Sequence, residues 1–389
     1  MSVIKVNKIE STGTTAGGVE VDSSGHVQVD GVQMPTAGAL SNRNLIINGA
    51  MNVAQRGTSA TTNGYGTVDR FKPGFTGGAQ TQTQETLTSG SPYNEGFRKF
   101  LRLTNTTAST GTSDLRRITY LMEGQDIAGS GWNYTSSSSY ITLSFWARAS
   151  VSQTYYVEVI SNDGTTQNYT FAVSLTANTW TKIEKTIPGN SSITFDNDTG
   201  AALQIDFLPF FGTDYTDSGF TTDAWAAFSG SSRAPDFTNT WANTTNATFD
   251  LTGVQLEVGE KATPFEHRSY GDELARCERY FEVIRTHGEG FTGYSFHQTA
   301  GTCPIRFRTK KRATPGTITL GTAGTAAGNI AMLTSGGNYP STVGSHQVNA
   351  KNSEGFRLYA SGYAGLDNDT VSLLYGNGDS LVAKVDAEL

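Results

Sequence analysis

Residues Tyr140, Thr142, Ser144 and Trp146 alternate one by one with Ile141, Leu143, Phe145 and Ala147. A period of two puts the first set on one face of a strand and the second on the other, an arrangement no helix can use. Residues 155–160 and 168–173 flank Asn162-Asp163-Gly164, and an Asp-Gly pair between two such runs signals a hairpin. Stretches 171–187, 202–210 and 248–258 continue the series. Short strands separated by clusters of Gly, Ser, Thr and Asn indicate a β-sandwich or barrel, so the chain is read as all-β.

Composition narrows the function. Hydrophobic residues make up 36% of the chain and charged residues 16%, both low for a soluble enzyme. The 20 Phe and 16 Tyr supply the buried area that scarce aliphatic residues do not. A net charge of −7 argues against a nucleic-acid partner. No apolar run reaches the ~20 residues of a membrane span, so no membrane insertion is expected. Residues 1–10 lack an apolar core of secretory length. Cys277 and Cys303 stand alone and read as reduced thiols, which points to synthesis in a cytoplasm. No HExxH pattern, GxSxG elbow or phosphate loop occurs, so neither catalysis nor a cofactor is expected.

Four regions follow. Residues 1–41 hold short β-like pieces at 4–9, 19–21 and 27–29, with too few apolar residues to bury a core in one chain. Such a segment is either flexible or ordered by intertwining with copies of itself. Residues 42–270 carry the strand series. Residues 271–285 read as a linking helix over 272–284, with Asp272 as its cap and Leu274, Cys277, Phe281 and Ile284 as one apolar stripe packing on a neighbouring domain. Residues 286–389 return to β patterning, at 304–308, 317–320, 355–360 and 371–374, and form a second β domain, a possible receptor-binding tip.

Candidate binding residues are aromatic. Trp132 and Tyr134 lie in one Gly/Ser-rich stretch and Trp225 and Trp241 in another; a ring offers its face to the C–H surface of a sugar while polar neighbours take the hydroxyls. The competing reading is packing under long loops. Trp146 and Trp180 read as core. Tyr339, Tyr363 and Tyr375 occupy turn-rich loops near the C-terminus, where recognition usually lives. Asp69-Arg70 reads as a structural ion pair rather than a ligand group. Arg306, Arg308, Lys310, Lys311 and Arg312 form the densest basic run, a contact to phosphate or acidic glycan or, preferably, a charged strand edge that resists aggregation.

Several stretches, in order, resemble bacteriophage tail fibres that carry a carbohydrate-binding-module-like jelly roll. Residues 44–58 with Val68-Asp69-Arg70-Phe71 resemble the family's first strand, 141–149 its central strand, and Thr179-Trp180-Thr181-Lys182-Ile183 the strand near its Trp position. Residues 253–259 and 262–268 resemble the closing strand and exit, 274–281 the helix that follows, and 4–9 the N-terminal segment. The resemblance implies a jelly-roll β-sandwich over 42–270, a C-terminal β-sandwich, and a virion tail protein made in the host cytoplasm. It further implies a homotrimer, attached to a tail or baseplate protein through residues 1–41, that meets a host-surface glycan or outer-membrane protein without catalysis. Relatives hold a structural calcium through an acid on the last strand; here Thr252-Gly253 stand at that place with Asp250 nearby, so a metal is left open. A tail-associated glycan depolymerase, a purely architectural tail or baseplate component and a secreted lectin are the alternatives.

Overall fold

The computed structural model describes residues 8–9, 18–21, 27–29, 32–33, 42–238, 240–286, 290–326, 328–334, 340–376 and 378–389. Two compact units divide the chain, Met1–Arg268 and Ser269–Leu389. The first opens with β1 (Lys8–Ile9), β2 (Val19–Val21), β3 (Val27–Val29) and β4 (Val32–Gln33), a small antiparallel sheet in that order. Val19 pairs with Val29 and Val21 with Val27, so four exposed valines share one face.

The remainder of this unit is a sandwich of twelve strands: β5 (Ser59–Ala60), β6 (Phe71–Thr76), β7 (Ala79–Thr86), β8 (Lys99–Thr107), β9 (Leu115–Glu123), β10 (Tyr140–Ala149), β11 (Gln153–Ser161), β12 (Gln167–Leu175), β13 (Thr181–Pro188), β14 (Ala201–Phe211), β15 (Trp225–Ala227) and β16 (Ala247–Val258). One antiparallel sheet runs β13-β10-β16-β8-β7-β5 and the other β15-β12-β11-β14-β9-β6. Ile141, Leu143, Phe145 and Ala147 face inward, with Leu101, Leu103, Val157, Phe171, Ile205 and Phe207 in the same core. The alternation read in the sequence is therefore the inner and outer face of β10. The expected hairpin is β11–β12, paired from Gln153↔Leu175 to Ser161↔Gln167, with Gly164 at φ +62° in the turn.

β16 changes phase midway. Phe249 and Leu251 point inward before Gly253, and Val254 and Leu256 after it, because a bulge opposite Ser144–Trp146 inserts one residue. Gly253 takes φ +63°, and a Cβ there would meet the Phe97 ring at 2.7 Å. The shift carries Asp250, Thr252, Gln255 and Glu257 to the outer face. There Asp250 is bridged by Arg102, at 2.7 Å, and by Arg148, at 2.7 Å. Two guanidiniums thus occupy Asp250, and among the described residues no group of three His, Cys, Asp or Glu converges as a metal site.

On the outer face of the second sheet, Glu158 and Asp206 are fully buried beneath a segment that follows β14. Arg233 of that segment donates to Glu158 at 2.6 Å and to Asp206 at 2.9 Å, and Thr170 donates to the Arg233 carbonyl at 2.7 Å. Burial pushes the Glu158 carboxyl above its ordinary range, and Arg233 opposes that shift.

The second unit holds α3 (Tyr270–Glu278), numbered after two short helices, α1 (Ser91–Asn94) and α2 (Gly124–Ala128), in the first. It continues with β17 (Phe281–Arg285), β18 (Phe291–His297), β19 (Ala300–Arg306), β20 (Thr317–Leu320), β21 (Ile330–Leu333), β22 (Ser345–Lys351), β23 (Gly355–Ser361), β24 (Thr370–Gly376) and β25 (Leu381–Asp386). Sheets β17-β25-β20 and β21-β24-β18-β19-β23-β22 share a core that includes Ile284, Cys303, Ile305, Phe356, Leu358, Leu374 and Val385. Two expectations are corrected. The cap is Ser269, whose hydroxyl accepts the Asp272 amide, and the helix ends at Glu278. Phe281 and Ile284 belong to β17, where pairing with β25 supersedes the helical spacing of the stripe, so residues 271–285 are not one linking helix.

Candidate functional site

The outer face of the first sheet bears a groove of about 800 Å³. Its floor is built from Thr142 of β10 and from Lys182, Glu184 and Thr186 of β13. These β13 positions face outward because Ile183 and Ile187 alternate into the core. One wall is residues 260–265 with His267, the chain leaving β16, and Glu95 and Gln28 complete the lining. Local chemistry sets that wall. Glu257 accepts the Thr263 amide at 2.8 Å and its hydroxyl at 2.6 Å, and Gln255 accepts the Glu266 amide at 2.8 Å. Thr142 and Thr186 donate to the carbonyls of Gly259, at 2.8 Å, and Glu260, at 2.7 Å.

Charges of both signs face this space. The Lys182 ammonium lies 3.7 Å from Glu95 and 3.6 Å from Glu184. Glu95 also accepts the Trp146 indole N–H at 3.1 Å, and its carbonyl lies 2.9 Å from the His267 ring. Phe97, Phe265 and His267 form an aromatic cluster with ring centroids 4.8–5.1 Å apart. The half-buried Phe265 ring presents apolar surface beside carboxylates, an ammonium and hydroxyls, the mixture that suits a polyhydroxylated ring.

The aromatic residues singled out from sequence do not converge here. Trp241 is fully buried and donates its N–H to Thr248 at 3.0 Å. Trp132 is buried too, donating to the Ser139 carbonyl at 3.2 Å, with Tyr134 and Phe195 packed around it. Buried indoles offer no ring face to a ligand, so both are corrected to core. Tyr134 and Trp225 are half-buried; Trp225 packs against Tyr169 with ring planes tilted by 56°, and its N–H reaches the Pro188 carbonyl at 2.7 Å. Tyr363 is buried, with its hydroxyl against His346 and the Met332 amide, and is corrected likewise. Tyr375 is half-buried on β24, and Tyr339 lies outside the described residues.

Trp146 is buried as expected, whereas Trp180 is partly exposed beneath the Arg148 guanidinium, 4.6 Å from its ring. Asp69 pins the opening loop, accepting the Gln55 amide at 3.0 Å and its side chain at 2.6 Å. Buried Arg70 donates to the Leu121 carbonyl at 2.5 Å.

The basic run is not a charged edge. β19 is an inner strand of its sheet, so Arg306 guards no open edge. Lys311 is fully buried on Glu282 at 2.5 Å, Arg308 pairs with Glu278 at 3.2 Å, and Arg312 donates to the Ala387 and Glu388 carbonyls. What sequence reasoning missed was the groove itself: Glu95, Lys182, Glu184 and Phe265. The available signal was the alternation of Lys182, Glu184 and Thr186 with isoleucines, together with an aromatic residue and a histidine just past the longest strand.

No protein-family model matches the chain, and no curated protein does. Solved structures match over part of it. One is the enzymatically active domain of tailspike protein 4 of bacteriophage CBA120, at 10% identity, covering 56% of this chain and 22% of that one, with a TM-score of 0.31. A second is a putative sugar binding protein from Bacteroides thetaiotaomicron, at 10% identity, 56% and 100% coverage and a TM-score of 0.30. A third is the family 11 carbohydrate-binding module from Clostridium thermocellum, solved with a mixed-linked tetrasaccharide, at 10% identity, 54% and 98% coverage and a TM-score of 0.26.

Proposed function

We propose that the chain is a tail-fibre protein that attaches a virion to a host-surface glycan by binding without catalysis. The groove on the outer face of the first sheet is the observation that carries this reading: it is open, large enough for several sugar rings, and lined by Phe265, Lys182, Glu95, Glu184 and threonine hydroxyls. Support also comes from the ordered motifs of the sequence. Three copies per fibre would multiply weak single contacts, since linked sites gain avidity of ~10²–10⁴ without new contacts.

The test is binding of the full chain to arrayed bacterial surface polysaccharides, with Lys182→Ala, Glu184→Gln and Phe265→Leu as variants. All three positions are partly exposed, so thermal melts should match the parent. A loss of affinity of about tenfold, the equivalent of ~1.4 kcal/mol, is expected for Lys182→Ala. Binding that ignores all three substitutions would move the site elsewhere. No binding to any host surface would favour a purely architectural part, and released reducing sugar would favour a depolymerase.

A further inference from the structure

An antiparallel sheet with one solvated face ordinarily sets polar side chains on that face. The six-stranded sheet of the second unit does otherwise. Its inner residues Cys303, Ile305, Phe356, Leu358 and Leu374 form the core, and the alternate positions point out. Register aligns them across four strands: Val371 opposite Tyr294, Tyr294 opposite Thr302, Thr302 opposite Tyr359. Val371 is 68% exposed, Tyr294 43%, Phe296 39% and Leu373 38%. Phe296 stacks on Tyr359 with centroids 6.1 Å apart and planes 25° from parallel. Large apolar side chains clustered in solvent mark an interaction surface.

Cations stand at one end of this strip. Pro304 pairs with Arg357 and Arg306 with Gly355, so both arginines project from the same face as Tyr359. Arg306, Arg357 and Lys351, with Asn352, line a pocket of about 260 Å³. Both arginines are exposed; Arg306 has only a loose contact to Glu354 at 3.8 Å, and Arg357 has no acidic partner among the described residues. Lys351 pairs with the core-facing Phe356 and donates to the carbonyls of Pro315 and Gly316, at 2.7 and 3.0 Å, so its ammonium is held away from the two arginines. At the far end Tyr294 donates to Asp369 at 3.3 Å, so the face is polarised from acid to base.

We propose that this face is a second binding site, for an acidic polysaccharide. Its rings lie along Phe296, Tyr359 and Tyr294, and a carboxylate or other anionic substituent enters the pocket between Arg306 and Arg357. Guanidiniums suit such a group because their fork matches two anionic oxygens. Three inter-strand steps separate Val371 from Tyr359, ~14 Å in all, which matches an oligosaccharide better than a single ring. The pocket admits a substituent and not a helix or strand of a protein partner, and its charge selects an acid. The site is independent of the groove in the first unit.

Calorimetric titration of the full chain with polygalacturonate and with neutral dextran tests it. Polygalacturonate should bind with an affinity that falls as salt rises, and dextran should not bind at this face. Arg306→Gln with Arg357→Gln should weaken polygalacturonate at least about tenfold, and Phe296→Ser should weaken it as well. All these side chains are exposed, so melting temperatures hold and the loss is not one of folding. No polygalacturonate binding by the parent, or binding indifferent to the double arginine change, overturns the proposal. So does a light-scattering mass that drops in Phe296→Ser, since the face would then be covered by a second copy of the chain.

Discussion

Lys311 shows how a single side chain organises the second unit. Its ammonium is buried, donates to Glu282 at 2.5 Å and to the Glu278 and Thr309 carbonyls, and loses basicity to burial. Removing one partner of such a pair strands the other charge, so Lys311→Met is expected to cost about 3–5 kcal/mol. Adding Glu282→Gln should restore most of that, as read from denaturant midpoints. His346 gives a pH dependence. Burial lowers its pKa to about 4, against an ordinary 6.5. Between those values the unfolded chain takes up a proton that the folded imidazole refuses, so this contribution to stability falls as pH drops from about 6.5 to about 4. His346→Gln should flatten the melting temperature of the second unit across that window. Neither behaviour was legible in the sequence. A run of five cations within seven residues looks like a solvated surface until distant acids are placed beside it.

At the scale of elements, sequence and structure agree where a strand is half-buried. β10, the β11–β12 hairpin, β20, β23 and β24 were readable because alternation records which face meets the core. Agreement fails where pairing is non-local. β17 reads as helix in the sequence because Phe281 and Ile284 prolong a three- and four-residue spacing, and only β25, about a hundred residues on, makes them a strand. The bulge in β16 was equally hidden, although Gly253 marks it. Gly253→Ala is expected to destabilise the sandwich by about 1–3 kcal/mol through positive φ, with the clash against Phe97 in addition. Ser269→Ala should cost about 1 kcal/mol through loss of the α3 cap. Chemical denaturation of each variant, followed by tryptophan emission for the first and far-ultraviolet dichroism for the second, checks both figures. The groove is hidden from the sequence for the same reason as the bulge. Its residues come from 28, 95, 142, 182–186 and 260–267, and only the folded unit brings them together.

For the whole molecule, two separate cores predict two unfolding transitions in calorimetry, where a single cooperative domain would give one. The proposed fibre also predicts a light-scattering mass about three times the chain's 41.5 kDa. The exposed four-valine face of β2 and β3 is a surface that copies of the chain could cover, and Val19→Ser with Val29→Ser should then lower that mass. Both cysteines, Cys277 and Cys303, lie in the second unit and are fully buried, and burial raises the Cys303 thiol to about 12. Every thiol in the molecule is therefore silent while that unit stays closed, and the first unit carries none. A thiol-reactive dye becomes a clock for the second unit alone: reaction at Cys277 times the lifting of α3, and reaction at Cys303 times the parting of the sheet beneath the aromatic face.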